Sequence, residues 1–291
     1  MATNKRKLRV TELDFDNIKD NLKTFLKAQQ EFKDYDFEGS GMSVLLDTLA
    51  YNTHYLGFNA NMLANEMFLD SAALRSSVVS HAKTLGYEVS SPRAPIAIVN
   101  VSLSTSGSTK TMPAGTSFTT SIDGTSYQFV TVADVTASNT GSAVPFDSVN
   151  IYEGSYVTTR YTADVNDVDQ RFLLSDARSD TTTLTVKVQN SASDTTTTTY
   201  TRATDITQLS SSSTVYYLQE TDSGLFEVYF GDGTVSAALS DGNIVILQYV
   251  VTNKTAANGA SSFSSPASID SVTGVTVTTC LLYTSDAADE V

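Results

Sequence analysis

The chain has 291 residues, which is enough for two or three domains that each bury a hydrophobic core. Asp and Glu outnumber Lys and Arg by 32 to 18, and the resulting net charge of −14 argues against a nucleic-acid partner. A single Cys excludes an internal disulfide, and no apolar run reaches the ~20 residues of a membrane-spanning helix, so we expect no membrane insertion.

Charge and periodicity divide the chain into parts of different fold class. Residues 1–94 hold 11 basic and 12 acidic side chains and show helical spacing, whereas the remainder holds 7 and 20 and shows short alternating runs. The sequence therefore predicts an α+β protein, in which an N-terminal helical hairpin or bundle with one long helix precedes two mainly antiparallel β domains. The predicted boundaries are 1–94 for the helical assembly domain, 95–160 for the first β domain and 161–279 for the second.

Three helices are predicted in the N-terminal part. The first begins at an Asp14 cap and buries a stripe that includes Phe25, and the second runs over residues 40–68. A third begins at a cap formed by Asp70 or Ser71, turns Leu74 and Leu85 inward, and ends at Gly86.

The long second helix is apolar on two faces. A heptad seam contains Leu46, Leu49, Leu56, Leu63 and Met67, and a second stripe contains Tyr51, Tyr55 and Phe58. A helix of this kind needs neighbours on both sides, so these eight residues are the predicted partner-binding surface. A closed three-helix bundle is the alternative.

Strand patterns follow a predicted linker, Ser91–Pro95. Val99, Val101 and Leu103 alternate, and Asp123-Gly124 predicts a hairpin turn between residues 116–120 and 127–132. Later strands are predicted at 184–188, 215–218, 226–230 and 244–251. We expect the threonine run 195–199 to form loops or edge strands, and Gly231-Asp-Gly233 to form a tight hairpin.

Candidate catalytic groups are few. His54 and His81 both fall in predicted helices, and the chain has no Gly-x-Ser-x-Gly nucleophile elbow. Asp164, Asp167 and Asp169 do not have EF-hand spacing, which favours a solvated acidic turn. We therefore predict no catalytic, cofactor-binding or metal-binding residues, and a protein that is not an enzyme.

The last twelve residues differ in texture from the strands before them. Cys280 through Glu290 resembles a translated sequencing adapter over eleven consecutive residues, and the alternative is an ordinary acidic tail. We expect residues 280–291 to be a non-native tail on a C-terminally truncated protein.

Three groups of motifs resemble one family when they are taken in chain order. They are residues 10–16, 35–41, 49–54 and 61–69; then Pro113-Ala-Gly-Thr116 with Tyr127-Gln-Phe129; then Val228–Gly233, Asp241–Ile244, Tyr249, Asn258-Gly259 and Phe263. Over residues 8–279 the chain thus resembles the baseplate wedge subunits of T-even-like contractile-tailed bacteriophages, within the baseplate J-like family. It departs from that family in being much shorter.

The resemblance implies a structural virion protein that is located in the tail baseplate and assembled in the host cytoplasm. Family members pair through N-terminal helices, so the expected partners are a second copy of the chain and other baseplate wedge subunits. The alternatives from the residues alone are a β-rich receptor- or carbohydrate-binding tail protein and, third, a tail-associated hydrolase with a carboxylate pair.

Overall fold

The computed structural model describes residues 14–32, 35–37, 39–87, 89–167, 169–221 and 223–283. After residue 88 the chain divides into two compact units. The first contains the helices α1 (Phe15–Lys27), α2 (Met42–Glu66) and α3 (Arg75–Thr84). The second contains β strands in mainly antiparallel sheets, which confirms the predicted α+β class.

Helix α1 begins as its sequence predicts. The Asp14 carboxylate accepts hydrogen bonds from the backbone N–H groups of Asp16, at 2.8 Å, and Asn17, at 3.4 Å. The helix packs against α2, and Lys19 forms an ion pair with Asp47. Phe25 was predicted to lie on the buried stripe, but it is 64% exposed.

Helix α3 begins later than predicted, and no side chain caps it; a distant residue holds the turn before it. Neither Asp70 nor Ser71 caps it: residues 67–74 form a turn, and the Glu66 carboxylate accepts the N–H groups of Ala73 and Leu74 at 2.9 and 3.2 Å. Leu74 and Leu85 are exposed rather than turned inward, and Val79 is the buried residue of this helix. The predicted stop at Gly86 is confirmed by its φ of 76°.

The described part of the second unit contains fourteen strands. They are β1 (Ile96–Ser104), β2 (Thr109–Met112), β3 (Ser117–Ile122), β4 (Thr125–Val130), β5 (Val135–Ser138), β6 (Ala143–Glu153), β7 (Ser155–Thr162), β8 (Phe172–Leu173), β9 (Ser179–Gln189), β10 (Thr197–Arg202), β11 (Val215–Glu220), β12 (Phe226–Phe230), β13 (Ile244–Val251) and β14 (Val275–Tyr283). Short 3₁₀ helices occur at Gln30–Phe32, Ile206–Gln208 and Lys254–Ala257.

The first sheet has the strand order β14-β1-β6-β4-β3 and is antiparallel throughout. The predicted alternation in β1 is confirmed, because Val99, Val101 and Leu103 are buried in its core. The predicted hairpin is confirmed as well: Asp123 and Gly124 connect β3 to β4 with φ values of 49° and 82°. Strands β2 and β5 form a separate two-stranded sheet.

The second sheet has the order β7-β13-β9-β10-β11-β12-β8, and only the β10–β11 pair is parallel. Its strands include all four that were predicted in this region. The prediction of loops or edge strands for residues 195–199 fits 197–199, which are exposed and pair only with β9; β10 becomes an interior strand at Thr201 and Arg202, which pair with β11. The Thr-rich sequence carries little burial signal, yet Tyr200 anchors this strand in the core.

The two sheets are not consecutive along the chain. After β13 the chain returns to the first sheet, where Ala257, Ala260 and Ile269 enter its core and β14 pairs with β1. The prediction placed these residues in a second domain that ends at 279. The predicted boundary at 160/161 lies inside β7, which belongs to the second sheet from Ser155 onward.

Polar contacts join the two sheets where the chain passes from one to the other. The predicted linker takes part: the Asp180 carboxylate accepts the Ala94 N–H at 2.9 Å, and the hydroxyl groups of Ser91 and Thr181 lie 2.8 Å apart. Gly154 has a φ of 122°, and a Cβ there would lie 2.2 Å from the Val251 carbonyl oxygen. Only glycine fits this close approach.

The Gly231-Asp-Gly233 turn is not the tight hairpin that was predicted. Strand β12 pairs with β11 and β8, and the chain after it forms a long loop to β13. The turn chemistry is present, since Gly233 has a φ of 87° and the Asp232 carboxylate accepts the Thr234 N–H at 2.9 Å.

The predicted tail begins inside a strand. Residues 280–283 continue β14, and residues 284–291 lie outside the described residues. The adapter origin of this segment stays a prediction.

Candidate functional site

Helix α2 presents the predicted partner-binding residues, and one of its faces packs within the helical unit. Its buried residues are Leu46, Ala50 and Gly57. Because each residue of an α-helix turns by about 100°, these three positions lie within about 40° of one another. The remaining circumference of the helix is free to display other side chains.

The heptad seam lies beside the buried face. Leu49, Leu56 and Leu63 recur at seven-residue spacing and are 46%, 59% and 69% exposed, and Met67 follows at the end of the helix with 67% exposed. Leucine side chains are seldom exposed to this extent in a row, so the seam is an uncovered apolar surface.

Leu46 is the exception among the predicted seam residues. Its side chain is only 1% exposed. It precedes Leu49 by three residues, which turns it about 60° from the seam toward the buried face. The heptad spacing alone could not separate this position from the exposed ones.

The second predicted stripe lies on the other side of the buried face. Tyr51, Tyr55 and Phe58 are each more than half exposed, and Met62 continues the stripe. The rings of Tyr51 and Tyr55 stack with centroids 6.3 Å apart. Helix α2 therefore displays two separate apolar stripes.

The turn after α2 is held in place by Glu66. Its carboxylate accepts the N–H groups of Ala73 and Leu74, and its backbone carbonyl oxygen lies 2.8 Å from His81 Nε2. The Ser77 hydroxyl and then the Ala73 N–H hold the pKa of the Glu66 carboxyl below its usual value. This turn also exposes Phe68, Leu69 and Leu74, so the apolar surface extends beyond the helix. The sequence carries no local signal for the role of Glu66, because the N–H groups that its carboxylate accepts lie seven and eight residues away.

The titratable side chains considered as catalytic or metal-binding groups do not form a metal-binding cluster in the described part of the chain. Among the described residues, no three His, Cys, Asp or Glu side chains lie close enough together to hold a metal ion. The Asp164 carboxylate accepts hydrogen bonds from the N–H and side-chain amide of Asn166, and these lower its pKa. None of the described helices is long and apolar enough to cross a membrane.

Comparison with known proteins gives two domain matches and one curated relative. Residues 14–87 match the family model "Baseplate wedge protein gp6-like, helical domain", and residues 159–260 match "Bacteriophage baseplate wedge protein gp6, third domain". The chain is 32% identical over 283 residues to baseplate wedge protein gp6 of Enterobacteria phage T4. That match covers 90% of this chain and 41% of the relative's length.

Proposed function

Because residues 14–87 and 159–260 carry two domains of the gp6-like baseplate wedge family, we propose that the chain is a structural component of a bacteriophage baseplate wedge. It acts in the tail baseplate of the virion, is assembled in the host cytoplasm, and is not an enzyme. We include membership of the baseplate J-like family in this proposal. The matched domain descriptions favour a wedge component over a receptor- or carbohydrate-binding tail protein.

We propose further that assembly uses both exposed stripes of α2, with a second copy of the chain and other wedge subunits as partners. The observation that carries the proposal is the exposure of Leu49, Leu56, Leu63 and Met67 in the matched helical domain. Covering such a stripe contributes about 1.5–3 kcal/mol per fully buried side chain, before the cost of ordering. Several of them together can hold a stable complex.

The test is Leu56→Asp in the full chain. We expect self-association, measured by analytical ultracentrifugation, to weaken strongly, because a carboxylate cannot be buried in an apolar seam without a partner. The matched control is Thr24→Asp, which adds the same charge to an exposed polar position of α1, outside both stripes.

Hydrogen–deuterium exchange of the β-strand amides should be unchanged in both variants, since the β unit has its own cores. Normal self-association of Leu56→Asp, or equal loss in Thr24→Asp, would contradict the proposal.

A further inference from the structure

A cleft with an apolar floor opens at one end of the second sheet. It lies between the segment that follows β7 and the segment that follows β12, and it encloses about 350 Å³. Its floor includes the buried ring of Phe172 together with Phe230 and Leu239. An opening of this size admits a long side chain or a short stretch of extended peptide.

The rim of the cleft is acidic. Asp164, Asp167 and Asp232 line it. Backbone N–H groups of Asn166 and Thr234 donate to Asp164 and Asp232 and lower the pKa of both carboxyls, so both are ionised at neutral pH. The rim therefore carries negative charge under physiological conditions.

Arg171 is the one cation among the described lining residues. Its guanidinium contacts groups other than the aspartates of the rim. Its guanidinium donates to the Gln170 carbonyl at 3.1 Å and lies 4.9 Å from the ring centroid of Tyr229. Its Nε is 3.9 Å from a Glu227 carboxylate oxygen. These contacts direct Arg171 toward β12, and among the described residues no other cation lines the cleft beside the aspartates of the rim.

An apolar floor beneath an anionic rim suits a ligand with an apolar stem and a cationic head. Lysine and arginine side chains have this form, since their methylene groups pack on apolar surface while the charge stays at the edge. The cleft thus fits a basic peptide segment better than a neutral or acidic one.

The chain itself contains such a segment. Lys5, Arg6, Lys7 and Arg9 place four positive charges within five residues, in a protein whose net charge is −14. Residues 5–9 lie outside the described residues. We propose that the acidic cleft of one copy binds the basic segment 5–9 of a second copy of the chain. This inference does not depend on the proposed role in a baseplate.

The test is a titration of the full chain with a labelled peptide of residues 1–13, followed by fluorescence anisotropy. We expect binding that weakens as NaCl rises from about 50 to 300 mM, because exposed charges are screened. In Asp164→Asn/Asp232→Asn, affinity should fall by about tenfold or more, since two charges of the rim are lost.

The matched control is Asp194→Asn/Asp205→Asn. These aspartates also accept backbone N–H bonds in exposed turns, from Thr196 and Thr207, but do not line the cleft. Asparagine preserves such turns, so both double variants should fold. We expect the control to bind the peptide with wild-type affinity.

Four outcomes would overturn the proposal. The first is that the peptide does not bind; if polylysine then binds, the cleft belongs to another basic partner. The second is that the peptide binds the cleft variant as tightly as wild type. The third is that a peptide with Gln at positions 5, 6, 7 and 9 binds equally well. The fourth is that a full chain with those four Gln substitutions binds the peptide about tenfold tighter than wild type at concentrations where the wild-type chain is monomeric, which would mean that each chain fills its own cleft.

Discussion

Glu153 is a fully buried carboxylate at the point where the chain leaves the first sheet. One oxygen accepts the Thr252 hydroxyl and the Asn253 N–H, each at 2.8 Å, and the other accepts the Asn253 side-chain amide at 2.8 Å. Its own N–H donates to the Pro95 carbonyl. A single side chain thus ties the end of β6 to the segment that leads out of β13.

Glu153→Gln tests the value of this contact. Both carboxylate oxygens of Glu153 accept hydrogen bonds, but the NH₂ group of a glutamine can only donate. The NH₂ group would face an N–H or O–H donor, which leaves a buried polar group unpaired. We expect the free energy of unfolding of the β unit to fall by about 1–3 kcal/mol, measured by urea denaturation. The control Asp123→Asn keeps the positive φ of its exposed turn and should change stability by less than about 0.5 kcal/mol. Equal stability of the two variants would contradict the role given to Glu153.

At the scale of elements, local signals were sufficient where the partners are close in sequence. The Asp14 cap, the Asp123-Gly124 turn and the alternation in β1 each depend on neighbours within a few residues, and each is confirmed. The place of β10 in the sheet depends on its pairing with β9 and β11. The Thr-rich run carries no local signal for that pairing. The return of β14 to β1 spans most of the β unit and has no local signature.

The proposed partner-binding surface shows the same contrast between local signals and contacts with distant residues. Spacing identified the two stripes of α2 correctly as apolar, and seven of the eight residues named are exposed. Spacing could not assign Leu46 to the buried face, because that assignment depends on where α1 packs. It also could not reveal the acidic cleft, whose two segments are separated by several strands.

The Glu66 contacts in the turn before α3 give a pH-dependent prediction at this scale. The folded-state pKa of Glu66 lies below its ordinary value of 4.5, chiefly because Ser77 and Ala73 donate to the ionised form. The contribution of Glu66 to stability is therefore complete above that ordinary value and is lost as the pH falls through the folded-state pKa.

We expect Glu66→Gln to lower the Tm of the helical signal at 222 nm at pH 7 and to have little effect near pH 3. Asp70→Asn is the control, because Asp70 is the cap that the sequence predicts and that the structure does not use. A larger effect of Asp70→Asn than of Glu66→Gln would contradict the stabilising role given to Glu66.

For the whole molecule, the two units differ in how much apolar surface they bury. The described helical unit has few fully buried apolar side chains, among them Phe37, Leu46 and Val79, whereas the β unit has two extensive cores. Short helices are marginal without packing. We infer that the helical unit depends on a partner for much of its stability.

This difference predicts two melting transitions with different concentration dependence. Under the proposed self-association, binding of a second copy to the folded helices would stabilise them by mass action, so the transition at 222 nm should move to higher temperature as the protein concentration rises. The β transition, followed by the infrared amide band of the β sheets, should stay fixed. In Leu56→Asp the helical transition should lie lower and no longer depend on concentration, because the seam cannot be buried. A helical transition that is independent of concentration in the wild-type chain would mean that the helices are stable alone, and the seam would then need another role.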